Sequence, residues 1–591
     1  MKYKLYKDTI PEYSALQQIL YNRGIPIEKQ KEWLSAGWEQ IYDWTELSPQ
    51  KMEDACNLLY EKIQNNECVL FNVDPDVDGF TSSAIIINYL YDRFPDWATD
   101  HIGYILHNGK EHGLKDIIEE IFTDYPGAKL VICPDSSSND WNEHQQLKQA
   151  GIDCICLDHH EIENMELIDS DPAIIVNVQL EDYPNKALTG AGVAYKFISA
   201  FEDLIVHGNQ PTEFMDLCAL GNIGDMGNYK ELEIRAIVNI GLSDIRNPFF
   251  YSMAKKNDYS IQKMNGINYY SMAFYVVPFI NAVVRSGTME EKKLVFDSML
   301  LEYAFEDTES SKRGEKGKLV PMYEEAVTVA ERVKRRQTKL QDESMELLEN
   351  KIEEENLLDN AIILCLCELG EVEKNIAGLC ANKIQAKYQK PAAILTYSKT
   401  INDDEPYYRG SMRNYSLSPI QNLKDELEKT EEIEFCAGHQ GAAGLGIALS
   451  HVGSFLEKFN NQYSDIDQTP TYWVDYIWNS RTLDGSKILD IADLNIYGQE
   501  IPESLVVVED VALNPSMVTL MGLEKGHPTI KIQIGNVSLI KFKASEELYE
   551  EMCGDNMVLT CVCKPNKNEW NGNISPQLLV EDFDLREEWI F

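Results

Sequence analysis

The sequence predicts a multidomain α/β protein with mostly parallel sheets, a long connecting helix and a small C-terminal β-barrel. Three patterns lead to this prediction. Short apolar runs alternate with amphipathic segments from about residue 68 to 240, and again over residues 361–465. A highly charged segment of helical periodicity separates these two regions, and short β runs with turn signals follow residue 471. At 591 residues the chain is too long for one hydrophobic core.

The first α/β region is expected over residues 67–320, after a helical N-terminal segment of residues 1–66. Its short apolar runs, such as Val69-Leu70-Phe71 and residues 129–133, alternate with amphipathic segments and indicate strands. Strands that alternate with helices predict a parallel sheet, in which functional side chains lie beyond the carboxyl ends of the strands. Functional residues are therefore expected directly after each apolar run.

The second half of the chain is expected to hold three further parts. Apolar side chains recur at helical spacing in residues 321–360, and this pattern predicts a helix that connects two lobes. A coiled-coil dimer is the alternative, but the apolar repeat is too short and uneven to favour it. Residues 361–468 predict a second α/β lobe. Residues 469–591, with runs such as Thr529-Ile530-Lys531-Ile532, predict the barrel.

The composition is that of an ordinary globular protein, with 44% hydrophobic and 25% charged residues. A run of about 18 uncharged apolar residues is lacking, so the sequence predicts no membrane span. The 13 cysteines include three CxC pairs, at residues 154/156, 365/367 and 561/563, each inside an apolar run. Packing on one face of a strand explains these pairs better than zinc binding. Reduced thiols without an export signal predict a cytoplasmic protein.

The formal net charge of -44 restricts the function classes. Proteins that coat nucleic acid normally have a basic surface, because phosphate contacts dominate their affinity. Strong acidity therefore argues against a non-specific DNA-coating protein. It argues less against a nuclease, in which metal ions and a few arginines neutralise the phosphates locally.

Three carboxylates follow the first apolar run in quick succession. Asp74, Asp76 and Asp78 precede Gly79, and such a group is repulsive unless cations neutralise it. A solvated acidic turn and a calcium loop are the alternatives. An EF-hand loop requires an acidic ligand twelve residues after the first, whereas here Thr81 and the residues after it lead straight into an apolar helix.

Further acids and histidines follow later elements of the same region. Asp135 ends the next strand run, Asp158-His159-His160 ends the one after it, and Asp225 lies in a glycine-rich stretch. A single acid after a strand is usually a cap, but successive strand ends of a parallel sheet meet at one edge. A mixed set of carboxylate and imidazole ligands suits manganese or magnesium. The sequence therefore predicts a divalent-metal centre.

These segments resemble, in order, the four motifs of the DHH phosphoesterase superfamily. The resemblance implies the two-lobed DHH fold and two divalent ions, manganese or magnesium. It implies metal ligands at Asp76, Asp78, Asp135, His159 and Asp225, with Asp74 in a supporting role and Asp135 between the ions. It further implies that Asp158 orients the histidines and that His160 faces the scissile phosphate, so that Asp135, Asp158 and His160 are the catalytic candidates. Some DHH enzymes have a histidine where this chain has Asn72.

Other segments resemble the RecJ branch of that superfamily. These are Leu20-Tyr21-Asn22-Arg23-Gly24-Ile25, residues 277–285, 375–383 and 390–395, Arg409-Gly410-Ser411-Met412-Arg413, residues 438–444, and segments around Tyr497 and Trp570. The resemblance implies that the C-terminal domain is an OB-like barrel. It also implies substrate-binding roles for Arg285, Arg409, Ser411, Arg413, His439 and Gly444.

The function implied by this resemblance is 5′→3′ hydrolysis of single-stranded DNA to 5′-mononucleotides in DNA repair or recombination. The implied partners are single-stranded DNA and a single-strand-binding protein or helicase, and we expect a monomer. Two alternatives stay open. One is a phosphodiesterase for short oligonucleotides or cyclic dinucleotides, which the acidic charge favours and the OB-like C-terminus disfavours. The other is an inactive RecJ-like scaffold, although all principal ligand positions are filled.

Overall fold

The computed structural model describes residues 1–109, 112–180, 182–398 and 406–588, apart from the side chain of Lys525. The chain forms two compact units. The motif unit comprises Glu28–Arg336 and Asn495–Pro502. The terminal unit comprises Met1–Ile27, Gln337–Leu494 and Glu503–Phe591.

The first half of the described chain is mostly helical, with two groups of short strands. Its elements are β1 (Lys2–Leu5), α1 (Ala15–Asn22), α2 (Ile27–Leu34), α3 (Pro49–Gln64), β2 (Cys68–Val73), α4 (Val77–Arg93), α5 (Pro95–His101), β3 (Ile102–Leu106), α6 (Ile118–Asp124), β4 (Ala128–Pro134), α7 (Trp141–Gln149), β5 (Asp153–Asp158), α8 (Met165–Ile168), β6 (Ile174–Asn177), α9 (Gly190–Phe201), α10 (Met215–Gly224), α11 (Leu232–Ser243), α12 (Pro248–Lys256), α13 (Asp258–Lys263), α14 (Tyr269–Tyr275), α15 (Val277–Ser286), α16 (Met289–Asp297), α17 (Leu301–Ala304), β7 (Asp307–Glu309) and β8 (Leu319–Pro321).

The second half begins with the longest helix and contains most of the strands. Its elements are α18 (Met322–Glu354), β9 (Ile363–Cys367), α19 (Ala377–Tyr388), β10 (Ala392–Ser398), β11 (Tyr407–Arg413), α20 (Leu423–Glu428), β12 (Phe435–His439), β13 (Ala442–Ala448), α21 (Leu449–Tyr463), β14 (Thr471–Val474), β15 (Tyr476–Asn479), α22 (Gly485–Ala492), β16 (Val506–Ala512), β17 (Val518–Met521), β18 (Thr529–Ile534), β19 (Val537–Phe542), α23 (Glu546–Met552), β20 (Met557–Trp570) and β21 (Asn573–Glu587).

The motif unit is built on a five-stranded sheet of order β3-β2-β4-β5-β6 in which every pair is parallel, as the sequence predicts. Both faces of this sheet are buried. Leu130 and Ile132 of β4 enter one apolar core, and Val131 and Cys133 enter the other. The chain leaves β2 for β3 on one side and returns to β4 on the other side. The carboxyl ends of β2 and β4 therefore flank a topological switch point, where open α/β sheets bind their ligands.

The helices over one face of this sheet are packed more tightly than ordinary surface helices. Every residue of α9 is buried, and α3, α4 and α10 contribute to the same core. The small residues at the start of α9, Gly190 to Ala194, allow this close approach. This packing holds the first turns of α4 and α9 against the carboxyl edge of the sheet.

The predicted connecting helix is present as α18, a single helix of 33 residues. Its residues to Arg336 belong to the motif unit, where Ala330 and Val333 are buried in the core. The residues from Gln337 belong to the terminal unit, where Leu348 and Ile352 are buried. Among the described residues, the helices lack the combination of length and apolar character that crossing a membrane requires.

The second α/β region, in the terminal unit, has a five-stranded sheet of order β12-β13-β11-β10-β9. Only its β9–β10 pair is parallel, whereas the other three pairs are antiparallel. The parallel sheet expected from the alternation of strands and helices is thus replaced here by a mixed sheet. One reason is local, because only residues 440–441 separate β12 from β13, and such a short connection joins antiparallel strands.

The C-terminal β domain is present, but its sheet is open where a closed barrel was expected. The strand order is β15-β16-β20-β21-β19-β18-β17, and over the described residues the two end strands are not paired with each other. Beyond Cys563, β20 pairs only with β21 in the described part of the chain. The tip of this long hairpin thus extends past the neighbouring strands.

A buried ion pair ties the N-terminus of the chain to this C-terminal region within the terminal unit. Arg23, which follows α1, donates from Nη1 and Nη2 to Oδ1 and Oδ2 of Asp475 at 2.7 and 2.9 Å. Asn22 donates to the same carboxylate at 2.8 Å. The Asp475 side chain is fully buried, so its charge depends on these donors.

Replacing Arg23 by alanine should destabilise the terminal unit by about 3–5 kcal/mol, because Asp475 would remain buried without its counter-ion. Hydrogen exchange of peptides from α1 and β14, measured against denaturant concentration, reports the loss locally. The matched control is Lys339→Ala, which removes an exposed i,i+4 pair with Glu343 and should cost at most about 1 kcal/mol. Equal protection in the two variants would contradict the prediction.

Candidate metal centre

The acidic and histidine motifs all lie at the carboxyl edge of the motif-unit sheet. Asp74 follows β2, Asp135 follows β4, and His159 follows β5. Two acids come from helices: Asp78 lies in the first turn of α4, and Asp225 caps the C-terminus of α10. Residues separated by up to about 150 positions in the chain are therefore neighbours, as the parallel topology requires.

The imidazole of His159 lies among three carboxylates. Its Nε2 is 3.1 Å from Oδ1 of Asp135, 3.5 Å from Oδ2 of Asp225 and 4.0 Å from Oδ2 of Asp78. At this edge, three groups of described side chains have potential ligand atoms within 4.8 Å of one another: Asp78, His159 and Asp225; Asp135, His159 and His160; and Asp74, Asp76 and Asp135. The structure therefore brings together every metal-ligand candidate of the sequence, and Asp135 belongs to two of the groups.

Asp78 is held by the start of α9, a contact that the sequence patterns did not predict. The backbone amides of Gly190 and Ala191 donate to its two carboxylate oxygens at 2.7 and 3.0 Å, and Thr189 Oγ1 donates at 3.1 Å. The N-terminus of a helix favours a negative charge, because its amides point outward and its dipole is positive there. The sequence signal was Thr189 directly before a glycine- and alanine-rich helix.

Gly190 has a second role that depends on its lack of a side chain. A Cβ atom at this position would lie 2.4 Å from Oδ1 of Asp135 and 2.5 Å from its Cβ. Gly221 of α10 is similarly close to Asp78, since a Cβ there would lie 2.4 Å from Oδ1. These two glycines create the space in which the carboxylates lie.

Asp135 turns sharply out of the sheet. Its amide still donates to the carbonyl of Leu157 at 2.8 Å, but its φ of 64° and that of Ser137 at 76° are left-handed. Aspartate adopts this conformation more readily than most residues, because its short polar side chain bonds locally. The turn leaves the Asp135 carboxylate buried against the metal-ligand candidates.

The histidine pair is positioned by Asp158 and by the end of β6. Asp158 accepts hydrogen bonds from the amides of His159 and Ser138 and, at 2.8 Å, from Nδ1 of His160. The backbone carbonyls of His159 and His160 accept hydrogen bonds from Gln179 and Asn177, at 3.0 Å each. These two amide side chains were not predicted from the sequence.

Asp158 and His160 each stabilise the charged form of the other. Burial alone would raise the pKa of Asp158, but the hydrogen bond and charge of His160 hold it well below its usual range. Burial would conversely lower the pKa of His160, yet the hydrogen bond and charge of Asp158 raise it to about 10. His160 is therefore an imidazolium at neutral pH, with its Nδ1 fixed on Asp158.

The carboxylates on the other side of His159 are crowded and poorly hydrated. Burial and then the charge of Asp76 raise the pKa of Asp78 to about 7. Burial also raises the pKa of Asp74 to about 6, although the hydrogen bond and charge of His112 act in the opposite direction. Burial and neighbouring carboxylates raise the pKa of Asp135 and of Asp225 as well. Such a cluster retains protons until cations replace them.

The residues present fit a divalent-metal site. Oδ1 of Asp74 and Oδ1 of Asp135 are buried, and neither accepts a hydrogen bond within the described part of the chain. Buried carboxylate oxygens without donors are costly unless a cation binds them. Carboxylates with one or two imidazoles form the donor set of manganese or magnesium. His112, which was not among the residues predicted from the sequence, donates from Nδ1 to the other oxygen of Asp74 at 2.6 Å.

The side chain of Asn72 forms hydrogen bonds to residues outside these ligand groups. Its side-chain oxygen lies 2.8 Å from Nε2 of His107, and its Nδ2 is 3.4 Å from Oγ of Ser136. At this position, where some DHH enzymes have a histidine, the side chain thus joins β2 to the segment after β3 and to the turn after β4.

The predicted substrate-binding residues fall into both units. Arg285 lies on α15 of the motif unit, and the other five lie on three neighbouring strands of one terminal-unit sheet. Arg409, Ser411 and Arg413 alternate along β11, while Tyr408 before them and Met412 between the last two are buried in the core. Ser411 is the register partner of Gly444 on β13, and His439 ends β12. Five of the six candidates therefore share one polar region of this sheet.

Gly378 at the start of α19 adjoins this region and was not predicted from the sequence as a site residue. A Cβ at Gly378 would lie 2.8 Å from Nη2 of Arg413 and 3.4 Å from Oγ of Ser411. The guanidinium of Arg409 lies over the ring of Phe435, 5.6 Å from its centroid. Close packing and a cation–π contact thus position the two arginines.

Two family models match the chain: "DHH family, N-terminal domain" at residues 67–222 and "RecJ OB domain" at residues 474–582. The chain is 31% identical to the SPbeta prophage-derived protein YorK of Bacillus subtilis strain 168, which is provisionally named a single-strand DNA-specific exonuclease, over 99% of this chain and 98% of that one. It is 25% identical to the single-stranded-DNA-specific exonuclease RecJ of Bacillus subtilis, over 91% of this chain and 64% of RecJ.

Solved structures show the same fold. The crystal structure of RecJ from Thermus thermophilus in complex with Mn²⁺ matches with a TM-score of 0.70 at 18% identity, covering 98% of this chain and 76% of that one. The structure of the same protein in complex with Mg²⁺ matches with a TM-score of 0.63 at 17% identity, covering 100% and 79%. The match extends over both units of this chain.

The affinity of the centre for Mn²⁺ should fall at least about tenfold between about pH 7.5 and pH 5.5, because the metal must displace protons from the carboxylates. The raised pKa values of Asp78, about 7, and Asp74, about 6, place this change within that window. Isothermal titration at several pH values measures it, and circular dichroism of the metal-free protein shows that the fold is retained. An affinity that stays constant over this range would contradict the prediction.

Replacing Gly190 by alanine should weaken Mn²⁺ binding at least about tenfold, since the new Cβ collides with the Asp135 carboxylate. The same titration measures the change. The control is Gly127→Ala, where the added Cβ would have open space, and this variant should bind Mn²⁺ like the original protein. If both variants bind alike while folded, Gly190 does not shape the centre.

Proposed function

The chain belongs to the RecJ family of DHH proteins, and we propose that it is a metal-dependent exonuclease that hydrolyses single-stranded DNA from the 5′ end to 5′-mononucleotides. The observation that carries the proposal is the convergence of Asp78, Asp135 and Asp225 on His159 at one edge of the sheet. This edge lies in the region that matches the DHH family model or directly after it. The Mn²⁺ and Mg²⁺ in the matching RecJ structures support the choice of ion.

In this proposal, five residues hold two divalent ions: Asp76, Asp78, Asp135, His159 and Asp225. Asp74 would support them, and Asp135 and His159 each belong to two of the ligand groups. Bound divalent cations lower the pKa of a water nucleophile and stabilise the leaving oxygen of a phosphodiester. The protein contributes the fixed, water-poor arrangement of ligands.

His160 is the residue proposed to meet the scissile phosphate. Its Nδ1 donates to Asp158, and this hydrogen bond and the charge of Asp158 raise the pKa of the imidazole and favour its protonated form. Nε2 is therefore the donor toward a phosphate oxygen, and the positive charge stabilises the negative charge that develops there. Asp158 acts as a positioning residue, since it fixes the orientation and the protonation of His160.

The rest of the strand is proposed to bind through the polar region of the terminal-unit sheet and through Arg285. Arg409 and Arg413 offer paired donors for phosphate oxygens, and Ser411 and His439 offer single donors. Gly444, register partner of Ser411, leaves room for a close backbone approach. A few localised cations suffice in this scheme, which reconciles phosphate binding with a net charge of -44.

The biological setting is proposed from the same family membership. A cytoplasmic monomer would act in DNA repair or recombination on strands exposed by a helicase or covered by a single-strand-binding protein. A phosphodiesterase for short oligonucleotides or cyclic dinucleotides is the second candidate, favoured by the acidic charge. The match of residues 474–582 to the RecJ OB domain supports the longer substrate, because OB folds bind single strands.

Replacing Asp135 by asparagine should abolish Mn²⁺-dependent release of nucleotides from single-stranded DNA. The loss should exceed the roughly 10–100-fold effect of an outer-shell partner, since a direct ligand is removed. Release of a 5′-terminal label measures it. Asp100→Asn, at an exposed position of α5, is the control and should keep full activity. Retained activity in the folded Asp135 variant would refute the metal assignment.

A panel of substrates separates the candidate functions. A long single strand with a 5′ label should yield labelled mononucleotide from the first turnover, whereas a 3′ label should be released only at the end. Preferential cleavage of a dinucleotide would favour the second candidate. A folded, Mn²⁺-binding protein that is inactive on single-stranded DNA, duplex DNA, RNA and dinucleotides would favour a scaffold. Arg413→Ala should weaken binding of the long strand more than cleavage of the dinucleotide.

A further inference from the structure

Three cysteines lie together on the face of the motif-unit sheet opposite the α9 core. Cys133 of β4 and Cys156 of β5 are register partners on adjacent parallel strands. Cys154 precedes Cys156 by two residues, so its side chain lies on the same face. All three are buried in one apolar core, and their sulfur atoms lie within 4.8 Å of one another.

A histidine of α7, which packs on this face of the sheet, contacts one of the cysteines. His144 of α7 is buried, and its Nε2 lies 3.4 Å from Sγ of Cys156. The sulfurs of Cys154 and Cys156 are 3.9 Å apart. In a tetrahedral zinc site, bonds of about 2.3 Å to sulfur and about 2.0 Å to nitrogen separate two sulfurs by about 3.8 Å and a sulfur from the nitrogen by about 3.5 Å. The Cys154–Cys156 and Cys156–His144 spacings match these values, and the three sulfurs lie within 4.8 Å of one another.

The other nitrogen of His144 is bound to a carboxylate. Nδ1 lies 2.9 and 3.0 Å from the two oxygens of Asp171, and both side chains are almost completely buried. Metal-bound histidines characteristically donate their second N–H to a carboxylate, which fixes the tautomer and directs the free nitrogen to the metal. Here that arrangement directs Nε2 at the cysteines.

Packing alone is the competing explanation. As a thiol, Cys156 would donate to His144 or to the carbonyl of Ser137, which is 3.6 Å from its sulfur. Packing, however, gives no reason to bury a histidine and an aspartate beside three thiols, because buried charged or polar pairs are costly. The CxC pair of Cys561 and Cys563, with sulfurs 3.5 Å apart, lacks such a histidine in the described structure and is explained by packing.

We propose that Cys133, Cys154, Cys156 and His144 bind one structural zinc ion, with Asp171 orienting the histidine. The site is closed, because four protein ligands complete a tetrahedron and leave no position for substrate. Binding releases the protons of the three thiols. The proposal is independent of the nuclease function, since none of these residues belongs to the carboxylate centre.

A zinc ion at this position would restrain the turns that carry residues of the carboxylate centre. Cys133 lies two residues before Asp135, and Cys156 lies two residues before Asp158 and three before His159. A zinc ion would cross-link β4, β5 and α7 just below the turns that carry these side chains. The sequence favoured packing for this CxC pair because side chains two apart on a strand share a face and the chain has no CxxC pair.

X-ray absorption at the zinc edge of the purified full-length protein tests the proposal without any substitution. The expected result is about one zinc ion per chain after dialysis, with three sulfur neighbours at about 2.3 Å and one nitrogen at about 2.0 Å. Cobalt substitution should add the intense thiolate charge-transfer absorption of a sulfur-rich tetrahedral site. Protein without zinc, or with zinc bound only to oxygen and nitrogen, would overturn the proposal.

Variants separate this site from the carboxylate centre. Cys156→Ser should lose the sulfur-bound zinc, and His144→Ala should change the coordination and lower zinc retention in the presence of a chelator. Asp135→Asn should keep the zinc and its sulfur coordination. Cys561→Ser is the matched control, because it removes a buried CxC thiol from β20 of the C-terminal sheet. This variant should retain zinc fully. Equal zinc in Cys156→Ser and Cys561→Ser would contradict the assignment.

Discussion

The motif unit is organised around one electrostatic constraint, which is that several buried carboxylates must lie within a few ångströms of one another. Burial disfavours the charged form of each carboxyl and like charges at such distances repel, and the raised pKa values of Asp74 and Asp78 express these two costs. A flexible loop would move its carboxylates apart. Here the carboxylates follow strands of a sheet buried on both faces or lie at the ends of helices packed on it, and they cannot separate without disrupting the core.

The surroundings of the centre can be understood from the same constraint. The amides at the start of α9 stabilise the negative charge of Asp78, and His112 does so for Asp74. Glycines at 190 and 221 leave the volume that the carboxylates occupy. On the other side of His159, Asp158 and His160 form a pair of opposite charge, in which each side chain stabilises the charged form of the other. The result is an anionic pocket for cations beside one fixed imidazolium.

Charge is distributed very unevenly over this protein. The chain carries a net charge of -44, yet the polar region of the terminal-unit sheet presents Arg409 and Arg413 on β11 and His439 at the end of β12, with β13 between these strands. For a phosphodiester substrate, local positive groups matter more than the total, because salt screens charges more than about 10 Å away. Strong acidity and phosphate binding are therefore compatible when cations and a few arginines are concentrated where the phosphates lie.

The sequence by itself determined the parallel sheet of the motif unit, the long helix α18 and the set of acids and histidines at the strand ends. These features depend on local periodicity and on the rule that parallel strands end at one edge, so they can be read from residues such as Asp135 and His159 directly. Only the tertiary structure decided which distant groups complete them. The amides of Gly190 and Ala191 on Asp78, the open C-terminal sheet and the approach of His144 to Cys156 all depend on contacts between separate elements. Local patterns do not encode such distances, because they are set by how whole elements pack against one another.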